Sequence, residues 1–292
     1  MLPLQNTSPI FPFREIVAYE ALWADAKTSF KTLALMFAKH PGSRPSDFVQ
    51  KSRTVEVESH LKQVLLNGKN EYKTNLLING TYDFPEKLKD AQEPIELLYY
   101  TGQLDYLHTR CIAIVGTRNP AKKGTEITTE IATKLVKDDF TVVSGLATGI
   151  DTAAHRAAIN AKGRTIAVIG TPLNQTYPKE NSDLQKEIAK EHLLLSQVPF
   201  YRYAKQDYRL NRFFFLERNK TMSALTEATL IVEAGDTSGS LTQARAALYQ
   251  KRKVLIWEDC FHNNSITWPK RFLDKGAIRV SSYEDIKNAL GE

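Results

Sequence analysis

From residue 111 onward, short, uninterrupted apolar runs alternate with amphipathic segments, and this alternation constrains the fold more than any other feature. The runs include Ile112–Val115, Thr165–Ile169 and Val254–Trp257. A run that is apolar at every residue predicts a strand buried on both faces, as in a parallel sheet covered by helices. The sequence therefore predicts an α/β fold with a doubly wound, mostly parallel sheet of the extended Rossmann-like kind.

Seven strands and six helices are predicted in this part of the chain. The predicted strands are Ile112–Val115, Thr141–Val143, Thr165–Ile169, Leu193–Leu195, Thr229–Val232, Val254–Trp257 and Ala277–Val280. The predicted helices are Thr125–Lys137, Asp151–Ala161, Ser182–Lys190, Asn219–Leu225, Leu241–Gln250 and Tyr283–Leu290. Strands that alternate with helices in this way predict βαβ units with right-handed connections.

Residues 1–110 show a different sequence pattern, with few β-branched runs and long helical stretches. Apolar residues recur at helical spacing from Ile16 to Phe37, and Val55–Leu66 is predicted to be a further helix, ended by Asn67-Gly68. A short strand is expected at Leu97–Tyr100. We therefore expect a small helical N-terminal domain over residues 1–75 and a Rossmann-like domain over residues 76–292.

Charge and hydropathy limit the possible partners and location. The 292 residues include 39 Lys and Arg against 33 Asp and Glu, a net charge of +6, which suits a nucleic-acid partner and also many metabolic enzymes. No apolar run approaches the ~20 residues that span a bilayer, and the N-terminus does not resemble a secretion signal. Two cysteines cannot form a disulfide framework. We expect a cytoplasmic protein with no membrane partner.

Four loops that follow predicted strands are rich in glycines and hydroxyl side chains. They are Gly116–Pro120, Ser144–Asp151, Gly170–Pro172 and Gly235–Thr242. Loops at the carboxyl ends of parallel strands meet at one edge of the sheet, where backbone amides and helix N-termini bind phosphate. The sequence therefore predicts one phosphate-binding cleft. Neither G-x-x-x-x-G-K-S/T nor G-x-G-x-x-G is present, which disfavours ATP hydrolysis and NAD chemistry.

Residues 200–220 interleave aromatic and basic side chains. Seven aromatic and six basic residues are opposed by only Asp207 and Glu217. Single-stranded nucleic acid is bound by this mixture, because cations contact the backbone and rings stack on bases. The consecutive rings of Phe213–Phe215 cannot all point one way, so at least one is expected in the core.

The sequence offers little for catalysis. Its six histidines include no pair at metal-ligand spacing, and G-x-S-x-G is absent. Asp151 and His155 lie four residues apart on a predicted helix, where a capping Asp and a packed His are favoured over a catalytic pair. We expect no enzyme activity, no cofactor and no metal.

Seven segments, taken in order, resemble the DNA-processing protein A (DprA/Smf) family over residues 79–253. They are Ile112–Arg118, Val143–His155, Thr165–Gly170 with Tyr177-Pro178, Phe215–Asn219, Ser223–Thr226, Val232-Glu233 and Ser238–Thr242. The chain departs from the family's pattern in the link between Ser196 and Phe215, which is longer here and rich in Tyr and Arg. Lys220 stands where the family usually has Arg.

The resemblance implies a protein that binds single-stranded DNA without regard to sequence during DNA uptake and recombination. It also implies a homodimer that delivers DNA to a RecA-type recombinase, with no catalytic step. The implied DNA- and phosphate-binding residues are Gly116, Thr117, Arg118, Ser144, Gly145, Phe215, Arg218, Asn219, Lys220, Ser238, Gly239, Ser240, Leu241 and Thr242. Arg202, Arg209 and Arg212 are expected to add basic contacts beside aromatic rings.

Two other functions remain open at this point. The related LOG-type Rossmann group contains nucleotide phosphoribohydrolases, which use a glutamate near the glycines; here Glu233 or Asp236 would have to serve. Alternatively, the cleft would sense a small nucleotide-derived ligand, with the helical N-terminal part as effector. Release of adenine from AMP, and calorimetry with mononucleotides, distinguish these functions from DNA binding.

Overall fold

The computed structural model describes residues 9–65 and 73–291, and within them one nine-stranded sheet organises the fold. The predicted stop at Asn67-Gly68 lies outside the described residues. The strands are β1 Asn75–Ile78, β2 Leu97–Gly102, β3 Cys111–Val115, β4 Thr141–Ser144, β5 Thr165–Ile169, β6 Leu193–Ser196, β7 Ala228–Ile231, β8 Lys253–Trp257 and β9 Ile278–Val280. Their order across the sheet is β1-β2-β6-β5-β4-β3-β7-β8-β9.

Helices cover this sheet on both faces. They are α1 Pro12–Trp23, α2 Phe30–Lys39, α3 Val55–Leu65, α4 Lys122–Lys137, α5 Ile150–Asn160, α6 Ser182–Glu191, α7 Phe200–Lys205, α8 Arg212–Leu225, α9 Ser240–Tyr249, α10 Asp259–His262, α11 Trp268–Leu273 and α12 Tyr283–Leu290. Alternate residues of β3 enter different cores: Ile112 and Ile114 pack with α4 and α5, whereas Ala113 and Val115 join the core of α1, α6 and α8. The predicted doubly wound fold is confirmed.

Strands β3 to β9 pair in parallel, and β1 and β2 add an antiparallel edge. The chain leaves β3 in one direction through β4, β5 and β6, and it returns to the other side of β3 with β7. The neighbouring strands β3 and β7 therefore form the topological switch point. A crevice for ligands is expected at their carboxyl ends.

The N-terminal helices pack against the sheet through aromatic side chains. Trp23 of α1 contacts Phe30 of α2 at a centroid distance of 4.7 Å and Phe214 of α8 at 6.0 Å. All three rings are buried. The core of α1 and α2 is thus continuous with that of the helix that carries the basic and aromatic stretch.

Helices α7 and α8 differ from the predictions in an informative way. α8 begins at Arg212, seven residues before the predicted start at Asn219, and α7 was not predicted. The N-terminal amides of α7, on Phe200 and Tyr201, donate to the Glu20 carboxylate, each at 2.9 Å. A cap supplied from so far along the chain leaves no local sequence signal.

Candidate nucleic-acid interface

A polar cleft opens at the switch point, at the carboxyl ends of β3 and β7. It encloses about 490 Å³. Three of the four predicted loops contribute to its wall. The lining residues are Val115, Gly116, Thr117, Arg118, Ala147, Asp151, Arg218, Asn219, Met222, Gly235, Thr237, Ser238, Gly239, Ser240 and Gln243.

A narrower slot of about 50 Å³ adjoins the cleft. Arg118, Ala147 and Arg218 line both spaces, so the two arginines stand where cleft and slot meet. The wall of the slot includes the ring of Phe215, whose centroid lies 5.3 Å from that of the Tyr177 ring. A phosphate in the cleft and a base in the slot would together match a nucleotide of a single strand.

Arg218 is a buried cation, with 6% of its surface exposed. Its Nη1 donates to the carbonyl oxygens of Gly145 and Val168, and its Nε donates to Asn219 at 2.8 Å. Among the described residues, Nη2 meets no acceptor. Burial lowers the pKa of Arg218 to about 10, although Asp151 opposes this shift. The guanidinium thus stays charged at neutral pH, and an anion beside it would be stabilised strongly.

Arg118 and the amino end of α9 complete the cationic wall. Arg118 is exposed and lies near enough to Arg218 to help lower the Arg218 pKa. Across residues 9–65 and 73–291, the backbone amides of Arg118 and Gly239 meet no acceptor. The Ser238 and Ser240 hydroxyls lie 3.1 Å apart at the start of α9. These donors and the helix N-terminus make the wall suited to a phosphate.

Gly145 and Gly170 lack room for a side chain because other side chains of the protein, rather than a ligand, pack against them. A Cβ at Gly145 would overlap the Arg218 guanidinium, and a Cβ at Gly170 would overlap the Phe215 ring. Gly235, by contrast, has open space where a Cβ would stand. The first two glycines therefore position the arginine and the ring, and the loop before α9 is left open to solvent.

Acidic side chains do not seal the cleft. Within the described chain, Asp151 is the one acid in the lining, and its Oδ2 accepts from the amides of Gly145 at 3.2 Å and Ala147 at 3.3 Å. Glu233 instead accepts from the Ala121 amide at 3.1 Å, at the start of α4. Asp236 accepts from the Thr267 amide at 3.0 Å, at the start of α11. Both acids therefore cap helices and do not line the cleft.

His155 lies apart from this cleft. It is fully buried, and its Nδ1 lies 2.7 Å from the Thr165 hydroxyl. Burial lowers the pKa of His155 to about 3, so the ring is neutral at physiological pH. Its contacts are those of a packed core residue.

Four residues named for phosphate or DNA contacts are placed elsewhere. The Ser144 hydroxyl is buried and donates to the Ile114 carbonyl at 2.7 Å. Leu241 is buried, and Thr242 accepts from Arg245 at 3.2 Å. The Lys220 ammonium lies 2.7 Å from Glu217 and 3.0 Å from Glu93. None of these four side chains lines the cleft or the slot.

The three additional arginines have different surroundings. Arg202 donates to the carbonyls of Asp25 at 3.1 Å and Ala26 at 3.2 Å, just after α1, and is thus committed to holding the N-terminal helices. Arg209 and Arg212 are exposed, and the Arg209 guanidinium lies 5.8 Å from the centroid of the Tyr208 ring. Of the three consecutive phenylalanines, Phe214 is the buried one.

Several lining residues were not among the site residues that the sequence analysis named. Gln243 follows the predicted residues by one helical position and is fully buried; its Oε1 has no hydrogen-bond partner among the described residues. Tyr177 lies in the loop after β5; it is part of the resemblance but was not named as a contact. Val115 and Met222 were also not named. Ala147, Thr148, Asp151, Gly235 and Thr237 lie in the loops predicted to form the cleft, and Pro178 belongs to the resemblance, but none of them was named as a contact.

The described residues offer neither a metal-binding cluster nor a membrane-spanning helix. In residues 9–65 and 73–291, no group of three or more His, Cys, Asp or Glu side chains is arranged to hold a metal ion. In the same residues, no helix combines the length and apolarity needed to cross a membrane.

Comparison with known proteins places this geometry in a family. The family model of DNA recombination-mediator protein A matches residues 75–291. DNA processing protein DprA of Bacillus subtilis is 34% identical over 219 residues, which cover 75% of this chain and 72% of the relative. DNA processing protein DprA of Streptococcus pneumoniae is 35% identical over 203 residues, with 70% of each chain covered.

Two solved structures share the fold. DNA processing protein A from Streptococcus pneumoniae superposes with a TM-score of 0.76 and 25% identity, covering 96% of this chain and 98% of its own. DNA processing protein A from Helicobacter pylori gives a TM-score of 0.64 and 27% identity, covering 76% of this chain and 97% of its own. The latter structure is described for its unique single-stranded DNA binding mode.

Proposed function

The chain belongs to the DNA recombination-mediator protein A family, and from that premise we propose that it binds single-stranded DNA without regard to sequence. One observation carries the proposal: Arg118 and Arg218 line both the cleft and the slot that contains Phe215, and among the described residues neither Nη2 of Arg218 nor the Gly239 amide of the cleft meets an acceptor. Phosphate contacts of this kind carry no sequence information, whereas a ring accepts any base.

In this proposal, the strand's phosphates lie against the loops of Gly116–Arg118 and Ser238–Ser240. Asn219 holds the second loop, since its Nδ2 donates to the Gly239 carbonyl at 3.0 Å. Phe215 lies beside a base. Because Arg218 is fixed by two carbonyl oxygens before any ligand arrives, little side-chain entropy is lost on binding.

We also propose that the protein carries out no catalytic step of its own. A LOG-type phosphoribohydrolase would need an acid at the base-sugar bond, but Glu233 and Asp236 are occupied as helix caps. Asp151 is engaged by two backbone amides. Incubation with AMP is expected to release no adenine, and calorimetry is expected to show far weaker binding of AMP than of an oligonucleotide.

The wider role is also a proposal. We infer that the protein acts in the cytoplasm as a homodimer and delivers DNA to a RecA-type recombinase, and the recombination-mediator description of the family supports this role. We propose a helical domain over residues 1–75 and a DNA-binding domain over residues 76–292. The start of the family match at residue 75 supports this division.

Fluorescence anisotropy with labelled oligo-dT and a duplex of equal length tests the proposed binding. The single strand is expected to bind more tightly at every salt concentration. Its affinity should fall as salt rises, because each phosphate neutralised on a single strand contributes about 0.7 to the slope of log affinity against log salt. Equal affinity for the duplex, or binding that is insensitive to salt, would contradict the proposal.

A further inference from the structure

We propose that the corner between α7 and α8, residues 206–216, is a second contact surface for single-stranded DNA that lengthens the strand's path beyond the cleft. This inference rests on the proposed function and deepens it. The corner belongs to the link that is longer here than the family's pattern. Its contact with DNA would therefore be a property of this chain.

The corner exposes four large apolar side chains within nine residues of the chain. Tyr208 is 74% exposed, Leu210 56%, Leu216 44% and Phe213 40%. Exposure of so much apolar surface to water is unfavourable. Exposed apolar patches of this kind often mark a binding surface. Flat rings among these side chains suit the faces of unpaired bases.

Two cations of the corner have no acidic partner. Across the described parts of the chain, neither Arg209 nor Arg212 forms an ion pair. The nearest acid in sequence, Asp207, accepts from the Arg209 backbone amide at 2.8 Å. The Arg209 guanidinium lies over the Tyr208 ring, 5.8 Å from its centroid. A phosphate beside these arginines and a base on Tyr208 would use both groups at once.

The surface is continuous with the cleft along α8. Arg212, Phe215, Leu216 and Asn219 recur at helical spacing and so share one face of the helix. Phe215 lines the slot and Asn219 lines the cleft. Arg212 lies three residues before Phe215, about 4.5 Å along the helix axis. A strand that leaves the slot along this face reaches Arg212 and then Tyr208.

The corner is held on a fixed base. Asn211 is buried, and its Nδ2 donates to the Tyr203 carbonyl at 3.3 Å. Phe214 lies beneath it, against Phe30 at a centroid distance of 6.2 Å. Because the buried side chains fix the backbone, the exposed ones are presented to a ligand without prior folding.

The experiment is a length series of labelled oligo-dT, from about 2 to about 20 nucleotides, measured by anisotropy. The test variant is Tyr208→Ala/Arg209→Ala/Arg212→Ala in the full chain. A matched control, Tyr82→Ala/Lys87→Ala/Lys89→Ala, also removes one exposed tyrosine and two cations, but from the amino edge near Thr109. Circular dichroism melts establish that both variants fold like the parent.

We expect the test variant to bind the longest strand about tenfold more weakly than the parent, since one stacked base contributes ~1–3 kcal/mol. For the shortest strand, parent and variant should agree within about twofold, because the cleft alone holds it. Ultraviolet cross-linking of the long strand to the parent should mark Tyr208. The control should bind all lengths like the parent.

Three results would overturn the inference while the proposed function stands. They are unchanged binding of the long strand, an equal loss at every length, and an equal loss in the control. The first would show that the corner does not contact the strand. If the parent binds no single strand at all, the proposed function itself fails, and the corner's role fails with it.

Discussion

Two regions of the molecule contain similar residue types but differ in their hydrogen bonding. One is the contact between α1 and α7, which we name the seam. The other is the cleft at the carboxyl ends of β3 and β7. In the seam, the Glu20 carboxylate accepts from Tyr99 and from two backbone amides, and Arg202 donates to two carbonyls. In the cleft, Arg118 has no ion pair among the described residues, and Nη2 of Arg218 has no acceptor there.

This difference teaches that basic and aromatic composition does not by itself mark a nucleic-acid site. The basic and aromatic stretch of residues 200–220 supplies buried rings, such as Phe200 and Phe214, and also the ring of Phe215 at the slot. The two regions differ in whether their charged groups already have hydrogen-bond partners within the protein. The cleft retains unsatisfied donors, and the seam satisfies them internally.

The largest expected effect lies in the seam, at Glu20. Burial raises the pKa of Glu20 to about 7, although the hydrogen bonds from Tyr99, Tyr201 and Phe200 oppose this shift. Since the folded state holds the proton more tightly than the unfolded state, this contribution to stability is complete below about pH 4.5 and is lost as pH rises through about 7. Glu20→Gln should remove on the order of 3 kcal/mol of that pH dependence.

Urea unfolding of the parent and of Glu20→Gln across this pH range measures the slope of the free energy of unfolding against pH. Equal slopes in the two proteins would show that Glu20 is already ionised in the seam. Affinity for oligo-dT at a pH where both proteins are folded serves as the control, and we expect it to be unchanged.

In the cleft, Arg218→Ala should weaken oligo-dT binding about a hundredfold, because a charge-assisted contact is lost together with the bonds that hold Gly145 and Val168. Arg218→Lys keeps the charge but not the forked geometry and should recover only part of the affinity. Anisotropy at low salt measures both variants. Affinity within threefold of the parent for Arg218→Ala would remove the cleft from the binding path.

Arg118→Ala should have a smaller effect, about tenfold, because this side chain is exposed and better solvated. One fewer phosphate contact should also lower the salt slope by about 0.7. A salt series on the variant measures both quantities. A loss of affinity with an unchanged slope would mean that Arg118 supports the loop rather than the phosphate.

Lys220→Ala should have the smallest effect on binding, less than about twofold, because its charge is already paired with Glu93 and Glu217. Removal of the ammonium leaves two close carboxylates, so the variant should lose stability relative to the parent as pH rises. Burial and Glu93 already raise the pKa of Glu217 to about 7. A loss of affinity as large as that of Arg118→Ala would erase the distinction between paired and unpaired cations.

The sequence predicted the parallel strands well because burial on both faces leaves uninterrupted apolar runs, as at β3 and β5. It missed β1, an edge strand that in residues 9–65 and 73–291 pairs only with β2, and it missed α7, whose cap comes from Glu20. Such elements depend on distant partners that no local pattern contains.

The same reasoning explains which candidate site residues the structure brings together. Arg118 and Ser238 lie in the loops that follow β3 and β7, so the topology places them at one edge of the sheet. Lys220 and Arg202 look like equally good candidates in the sequence. Lys220 also pairs with the nearby Glu217, but Glu93 and the Asp25 carbonyl are more than 100 residues away from their partners and become visible only in the fold.

A crystal structure of the protein with a short oligo-dT strand tests the central claim most directly. We expect a phosphate between Arg118 and the Gly239 amide, with a base beside Phe215. A strand bound at another surface, with the cleft left empty of phosphate, would contradict the claim.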